Sequence, residues 1–278
     1  EKKYSYLNTD EFLSQKIIDS NISCNICNNL EECATEGVLC VGYTHKNDIN
    51  HSIIHILHQS KELTQMYNEN GWMLRDILSY NPDQLIDFFS LAKKIKRPLF
   101  FHLSSSFSCD MRERAKYNGS FISYLSNLKL LSEFCYLVHG CYLNEQELYM
   151  IANSHSNVII CPIAEHKGKE NILMPHFLSK LRIPWMLGTD SQALASTSSL
   201  LKNALFLKKM DNKITPEEIL YHISTFPIEC SRNWNKPMEY QYLLIDTKNV
   251  SLSRIKAIDI MKRKYNVICK FESYVKQM

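Results

Sequence analysis

Short apolar runs rich in β-branched and aromatic residues alternate with segments of helical period along most of the chain. Val38-Leu39-Cys40-Val41, Trp72-Met73-Leu74, Pro98-Leu99-Phe100-Phe101, Phe134 to Val138, Val158 to Cys161 and Ile183 to Leu187 read as strands. Helical segments separate them. One runs from Ile49 to about Asn68. A second starts at Asn81-Pro82-Asp83-Gln84, where Asn81 suits the N-cap and Pro82 the first helical position, and Leu85, Phe88, Phe89 and Ala92 follow at helical spacing. A third opens on the capping-box pattern Asn144-Glu145-Gln146-Glu147. Phe177 to Leu181, Ser198 to Lys209, and Thr215-Pro216 to about His222 complete the set. Continuous apolar strands separated by helices predict an α/β fold with a parallel sheet covered on both faces, either a β/α barrel or a doubly wound open sheet. After Pro237, Tyr240 to Asp246 reads as an edge strand, and residues 250–278 hold a further short helix and strand.

Composition narrows the functions. The 278 residues and 32.5 kDa suit one β/α barrel. With 45% hydrophobic and 22% charged residues, disordered, collagen-like and coiled-coil chains are excluded. Seven glycines leave no Gly-rich dinucleotide or phosphate loop, which removes the commonest functions of doubly wound sheets. The net charge of +3 comes without a basic stripe, so no nucleic-acid partner is expected. Lys262, Arg263 and Lys264 read as a solvated helix face. No run approaches the roughly eighteen apolar residues of a membrane span, and no signal peptide is visible, so no membrane partner is expected. The ten cysteines are scattered and mostly sit in apolar surroundings, as free thiols in a cytoplasmic protein do. Cys24 and Cys27 have the spacing of half a zinc knuckle, but no second such pair exists. The chain opens on Glu1 rather than Met and is read as a fragment.

Candidate chemistry gathers where strands end. Phe100-Phe101 runs into His102, Leu137-Val138 into His139-Gly140, and Met186-Leu187 into Gly188-Thr189-Asp190. In a β/α barrel the carboxyl ends of the strands form the active-site face. Two histidines and an aspartate there make a metal or acid–base constellation, and two of the seven glycines adjoin it.

These residues carry a family resemblance. Leu137-Val138-His139-Gly140-Cys141-Tyr142-Leu143-Asn144-Glu145-Gln146-Glu147-Leu148 resembles the VHG-x-x-L-x-x-x-E-L segment of the amidohydrolase superfamily. The branch is the one holding cytosine and guanine deaminases, chlorohydrolases and related adenosine-type deaminases. Val158 to Pro162 resembles its V-x-x-C-P strand, Leu187 to Ser191 its LGTDS strand, and Glu36-Gly37-Val38 a G-x-T-T strand entry. The resemblance covers roughly residues 30–235. It implies a TIM-type β/α barrel with one divalent metal, zinc or iron, at its mouth, held by a His-x-His pair, a later histidine and an aspartate. By position, His102 and Asp190 are the metal residues, Asp190 also accepts the proton of the attacking water, and His139 faces the substrate. The implied reaction is hydrolytic C–N cleavage, deaminating a purine-like or pyrimidine-like small molecule.

The sequence departs from that pattern in ways that bear on activity. No two of the ten histidines are separated by one residue, so His-x-His is absent. The glutamate expected three residues after His102 is Ser105, and the expected C-P-x-S-N reads Cys161-Pro162-Ile163-Ala164-Glu165. His45 is one substitute ligand to consider, and Asp110 or Glu113 a substitute carboxylate if the loop after Ser105 folds back. His51, His55 and His58 have helical spacing and could bind a metal, though they read first as one face of a half-exposed amphipathic helix. Residues 1–236 are thus expected to form a barrel incomplete at its N-terminal end, and residues 237–278 a remnant of a small β domain. The open edge would need cover from the N-terminal segment or from a second copy in a homo-oligomer. Turnover by this chain stays open. The alternatives are an inactive family member serving as a binding or scaffold module, a decaying gene product, or a barrel with no metal history.

Overall fold

The computed structural model describes residues 40–43, 55–58, 71–190, 192–195, 197, 199–235, 237–238, 241–246, 256–262 and 266–272. Its main sheet has seven strands: β1 (Cys40–Tyr43), β2 (His55–His58), β3 (Trp72–Leu74), β4 (Leu99–Leu103), β5 (Cys135–His139), β6 (Asn157–Ile160) and β7 (Trp185–Leu187). All pairings are parallel and spatial order equals chain order. A doubly wound sheet reverses its strand order at a switch point. An unreversed order means that each crossover moves one strand in the same direction, which is barrel winding. Among the described residues β7 is not paired with β1, so the barrel wall is open there.

The helices form where the chain supplies caps. In α1 (Pro82–Ile95) Asn81 accepts the Gln84 amide at 2.8 Å and the Gln84 side chain accepts the Asn81 N–H at 3.0 Å, with Pro82 in the first turn. Next come α2 (Phe107–Lys116), capped by Ser106, and α3 (Phe121–Asn127), capped by Ser120. The capping box of Asn144 and Glu147 starts α4 (Glu145–Asn153). The remaining helices are α5 (Pro162–Lys167), α6 (Pro175–Lys180), α7 (Gln192–Ala195), α8 (Leu200–Met210), α9 (Pro216–Ile223), α10 (Thr225–Ser231) and α11 (Ala257–Met261).

Alternation along the strands divides the core in two. Leu99, Phe101 and Leu103 of β4 pack outward with Phe89, Phe121 and Leu125 of the helices. Phe100 of β4, Tyr136 and Val138 of β5, Cys161 and Met186 form the inner cluster with Trp234. The Trp234 indole N–H donates to the Tyr136 hydroxyl at 3.1 Å, while the Asn235 amide bonds the Lys96 carbonyl near the start of β4. The turn after α10 therefore plugs the amino end of the barrel and leaves the carboxyl end for chemistry. A separate antiparallel ribbon pairs β8 (Gln241–Asp246) with β9 (Asn266–Glu272).

One expected element is overturned. The helix from Ile49 to Asn68 is contradicted at His55–His58, which is strand β2, in register with β1 from Cys40↔His55 to Tyr43↔His58. Ile53, Ile54 and Ile56 are β-branched, and parallel pairing with β1 outweighs a histidine spacing that happened to be helical. His55 and His58 therefore do not share a helix face. Cys24, Cys27, His45 and His51 lie outside the described residues.

Candidate active site at the carboxyl ends of the strands

The sheet brings the predicted residues to one mouth. His102 closes the inward-facing set of β4, and its ring lies 5.1 Å, edge to face, from the ring of His139 at the end of β5. The register explains this proximity: His102 pairs with Val138 and Leu103 with His139. Asp190 follows β7 and acts electrostatically on both His139 and Cys161.

The backbone at these strand ends is unusual. Ser104 (φ 49°), His139 (φ 77°) and Asp190 (φ 54°) each hold left-handed conformations that non-glycine residues seldom adopt. Such strain persists where surrounding contacts over-determine it. At His139 those contacts include Gly140, itself at φ 78°, whose N–H bonds the Leu103 carbonyl at 2.9 Å. A Cβ at Gly140 would meet the Leu143 side chain at 2.8 Å, and one at Gly188 would meet Cys161 Sγ at 2.8 Å. Both glycines that adjoin the site in sequence are thus required by close approach.

Sequence reasoning gave Glu165 no role, and it proves central. It lies one helical turn beyond Cys161, at the start of α5. Its side chain is 1% exposed, and its Oε1 accepts the Cys161 amide at 2.9 Å and approaches His139 Nδ1 at 3.2 Å. Its other oxygen, Oε2, is buried with no hydrogen-bond partner. A ring nitrogen of His139, Cys161 Sγ and a Glu165 oxygen all lie within 4.8 Å of one another. The signal in the sequence was a carboxylate four residues after a strand-ending cysteine, in place of the family's asparagine.

The two histidines titrate in opposite senses. Burial, then His139 and Arg75, push His102 well below the usual histidine range, so its imidazole is neutral and has a lone pair to offer. Burial also opposes the charged form of His139, but the Glu165 hydrogen bond and charge outweigh it and raise His139. Cys161 is held well above the ordinary thiol range by burial and by Glu165 and Asp190.

The loop after β4 does fold back, and both carboxylates considered for it reach Ser104. The Ser104 amide donates to Glu113 Oε2 at 2.9 Å and its hydroxyl to Asp110 Oδ1 at 2.7 Å. Burial, aided by Asp110 and Asp76, raises Glu113 to about 7. Arg114 ties α2 to α4, binding Asp110 at 2.7 Å and Glu147 at 3.1 and 3.2 Å.

Residues 45–231 match the model of the amidohydrolase family. A 5-methylthioadenosine/S-adenosylhomocysteine deaminase of Pyrococcus furiosus is 29% identical over 105 residues, 38% of this chain and 25% of that protein. One from Thermodesulfovibrio yellowstonii is 24% identical over 175 residues, 61% of this chain and 40% of that protein. This chain thus spans less than half the length of both curated relatives. Among solved structures it superposes on a zinc-bound adenosine deaminase from Xanthomonas campestris with a TM-score of 0.56 and 15% identity, covering 76% of this chain and 48% of that one. An atrazine chlorohydrolase from Arthrobacter aurescens, complexed with zinc and atraton, gives a TM-score of 0.65 and 12% identity over 84% of this chain and 66% of that one. Likeness at this identity establishes the shared fold. No helix among the described residues is long and apolar enough to cross a membrane.

Proposed function

The chain belongs to the amidohydrolase family, and from that premise we propose that it is a metal-dependent hydrolase that deaminates an aminopurine-type ring, replacing the exocyclic amine with the oxygen of water and releasing ammonia. The observation that carries the reading is the meeting of His102 with His139 at 5.1 Å on the carboxyl-end face, with Asp190 acting on the same histidine. The curated relatives, which are named for deaminating adenosine-type molecules, support that substrate class.

The donor chemistry suits a divalent cation. His102 is neutral and Asp190 brings a carboxylate. His102 and Asp190 would hold the metal. When bound, it lowers the pKa of a water toward neutrality and so makes hydroxide available at the ring carbon. Asp190 would also take a proton from the attacking water. His139, raised by Glu165, keeps its Nδ1–H on the carboxylate and presents its Nε2 side to a substrate heteroatom. Serine at position 105 takes the place of the family's proton-shuttle glutamate in the sequence, and proton transfer to the leaving amine would fall to His139 and Asp190.

The test is ammonia release from 5-methylthioadenosine, S-adenosylhomocysteine, adenosine, guanine and cytosine, with zinc or ferrous iron supplied. At least one aminopurine should turn over, and His102→Ala and Asp190→Asn should each abolish it. Ammonia from none of the panel, or turnover untouched by Asp190→Asn, would overturn the assignment.

A further inference from the structure

We infer that His139, Cys161 and Glu165 form a binding site of their own for a thiophilic divalent ion of the zinc class, beside the His102–Asp190 position and distinct from it. Three observations converge. The ligand atoms of the three residues lie within 4.8 Å of one another, and all three side chains are buried. Rigid elements present them: Cys161 and Glu165 stand four residues apart at the first turn of α5, on one face, and His139 ends β5. Glu165 Oε2 is buried without a partner, although Oε1 of the same carboxylate already takes the Cys161 amide and faces His139 Nδ1. A buried carboxylate normally has both oxygens satisfied, so an orphaned one next to a thiol and an imidazole marks a missing cation.

Charge and ligand type agree. One thiolate and one carboxylate neutralise a divalent ion, leaving a buried site with no net charge, and imidazole completes a three-ligand sulfur, nitrogen and oxygen set with one position open. Thiolate and imidazole favour zinc, cobalt and ferrous iron over magnesium or calcium. Coordination through Nδ1, the nitrogen that meets Glu165, would replace its hydrogen bond to that carboxylate and leave the proton on Nε2, so an occupied site would switch His139 to the Nε2–H tautomer. The inference stands on these residues and not on turnover.

The experiment uses the 278-residue chain stripped of metal with a chelator and titrated with cobalt(II) chloride. A near-ultraviolet thiolate-to-cobalt charge-transfer band should grow to saturation, be displaced by zinc, and be unaffected by magnesium. Cys161→Ala should abolish the band and Cys161→Ser should strip it of its thiolate character, while Asp190→Asn should keep it. Glu165→Gln, which retains an acceptor for the Cys161 amide, should weaken cobalt affinity on the order of 10- to 100-fold or more. Circular dichroism confirms that each variant folds, and the Glu165→Gln comparison decides the matter if the Cys161 variants do not. No band in the parent chain, a band that survives Cys161→Ala, or affinity unchanged by Glu165→Gln overturns the site. Any of these outcomes leaves the His102–Asp190 reading standing, because ammonia release tests that separately.

Discussion

Glu113 offers a quantitative check on how the loop after β4 is held. It is 7% exposed, its Oε2 accepts the Ser104 amide at 2.9 Å, and burial is the main reason its carboxyl rises from 4.5 to about 7. Asp110 and Asp76 push in the same direction, while the Ser104 amide and Arg112 oppose it. The folded protein therefore holds this proton more tightly than the unfolded chain. The stability this confers is fully present below the unfolded pKa and is lost as pH rises through the folded value. A rise of about 2.5 units corresponds to roughly 3 kcal/mol, of which about 2.5 kcal/mol is lost between about pH 5 and about pH 8. Glu113→Gln keeps an acceptor oxygen for Ser104 and removes the ionisation. Urea denaturation of parent and variant at the two pH values isolates the effect, since titrating groups not coupled to Glu113 cancel in the double difference. The variant should gain about 2 to 3 kcal/mol on the parent between the lower and the higher pH. An equal stability difference at both pH values would refute the reasoning and place Glu113 in water.

Two further substitutions probe the frame of the site. Arg114→Met leaves Asp110 and Glu147, whose side chains are 8% and 4% exposed, facing one another without their shared cation, and should cost about 3 kcal/mol in urea denaturation. Adding Glu147→Gln should recover part of that loss. Gly188→Ala drives a methyl to 2.8 Å from Cys161 Sγ and 3.0 Å from Ile159 Cγ2, so it should cost about 1 to 3 kcal/mol. Combining it with Cys161→Ala should give a coupling energy of at least about 0.5 kcal/mol, and simple additivity would show that the two side chains do not touch.

The strands were legible because each is a short apolar run whose ends the sequence marks. The expectations at Trp72–Leu74, Phe134–Val138 and Ile183–Leu187 fall on β3, β5 and β7 with boundary shifts of at most two residues. Helices with reciprocal caps were equally plain, since Asn81–Gln84 and Asn144–Glu147 encode their own starts. The helix α2 was not visible, for a physical reason. Its buried positions are Asp110 and Glu113, so it shows no apolar period, and what fixes it is the Ser106 cap together with the ion pairs of Arg114. A charged face turned inward defeats any reading based on hydrophobic spacing. The histidines at 55 and 58 misled in the opposite way, because their spacing is helical while pairing with a neighbouring strand decides the structure.

The site divides along the same line. His102, His139 and Asp190 could be found because each ends an apolar run, and strand ends converge in this architecture whatever the loops do. Glu165 could not be found that way. Its place beside His139 depends on the angle at which α5 leaves β6, with Pro162 in the first helical turn, Cys161 packed against Gly188, and the carboxylate folded back onto the Cys161 amide. Of these, the Cys161–Gly188 packing joins strand ends adjacent in the sheet and distant in the chain. The same contacts bury a carboxylate with one unsatisfied oxygen between a histidine and a thiol. An unpartnered buried polar atom is costly, and the fold retains it where Gly188 leaves the cysteine room. The close packing around Cys161 and the unpartnered oxygen of Glu165 therefore belong to one arrangement, in which Glu165 holds His139 through Nδ1.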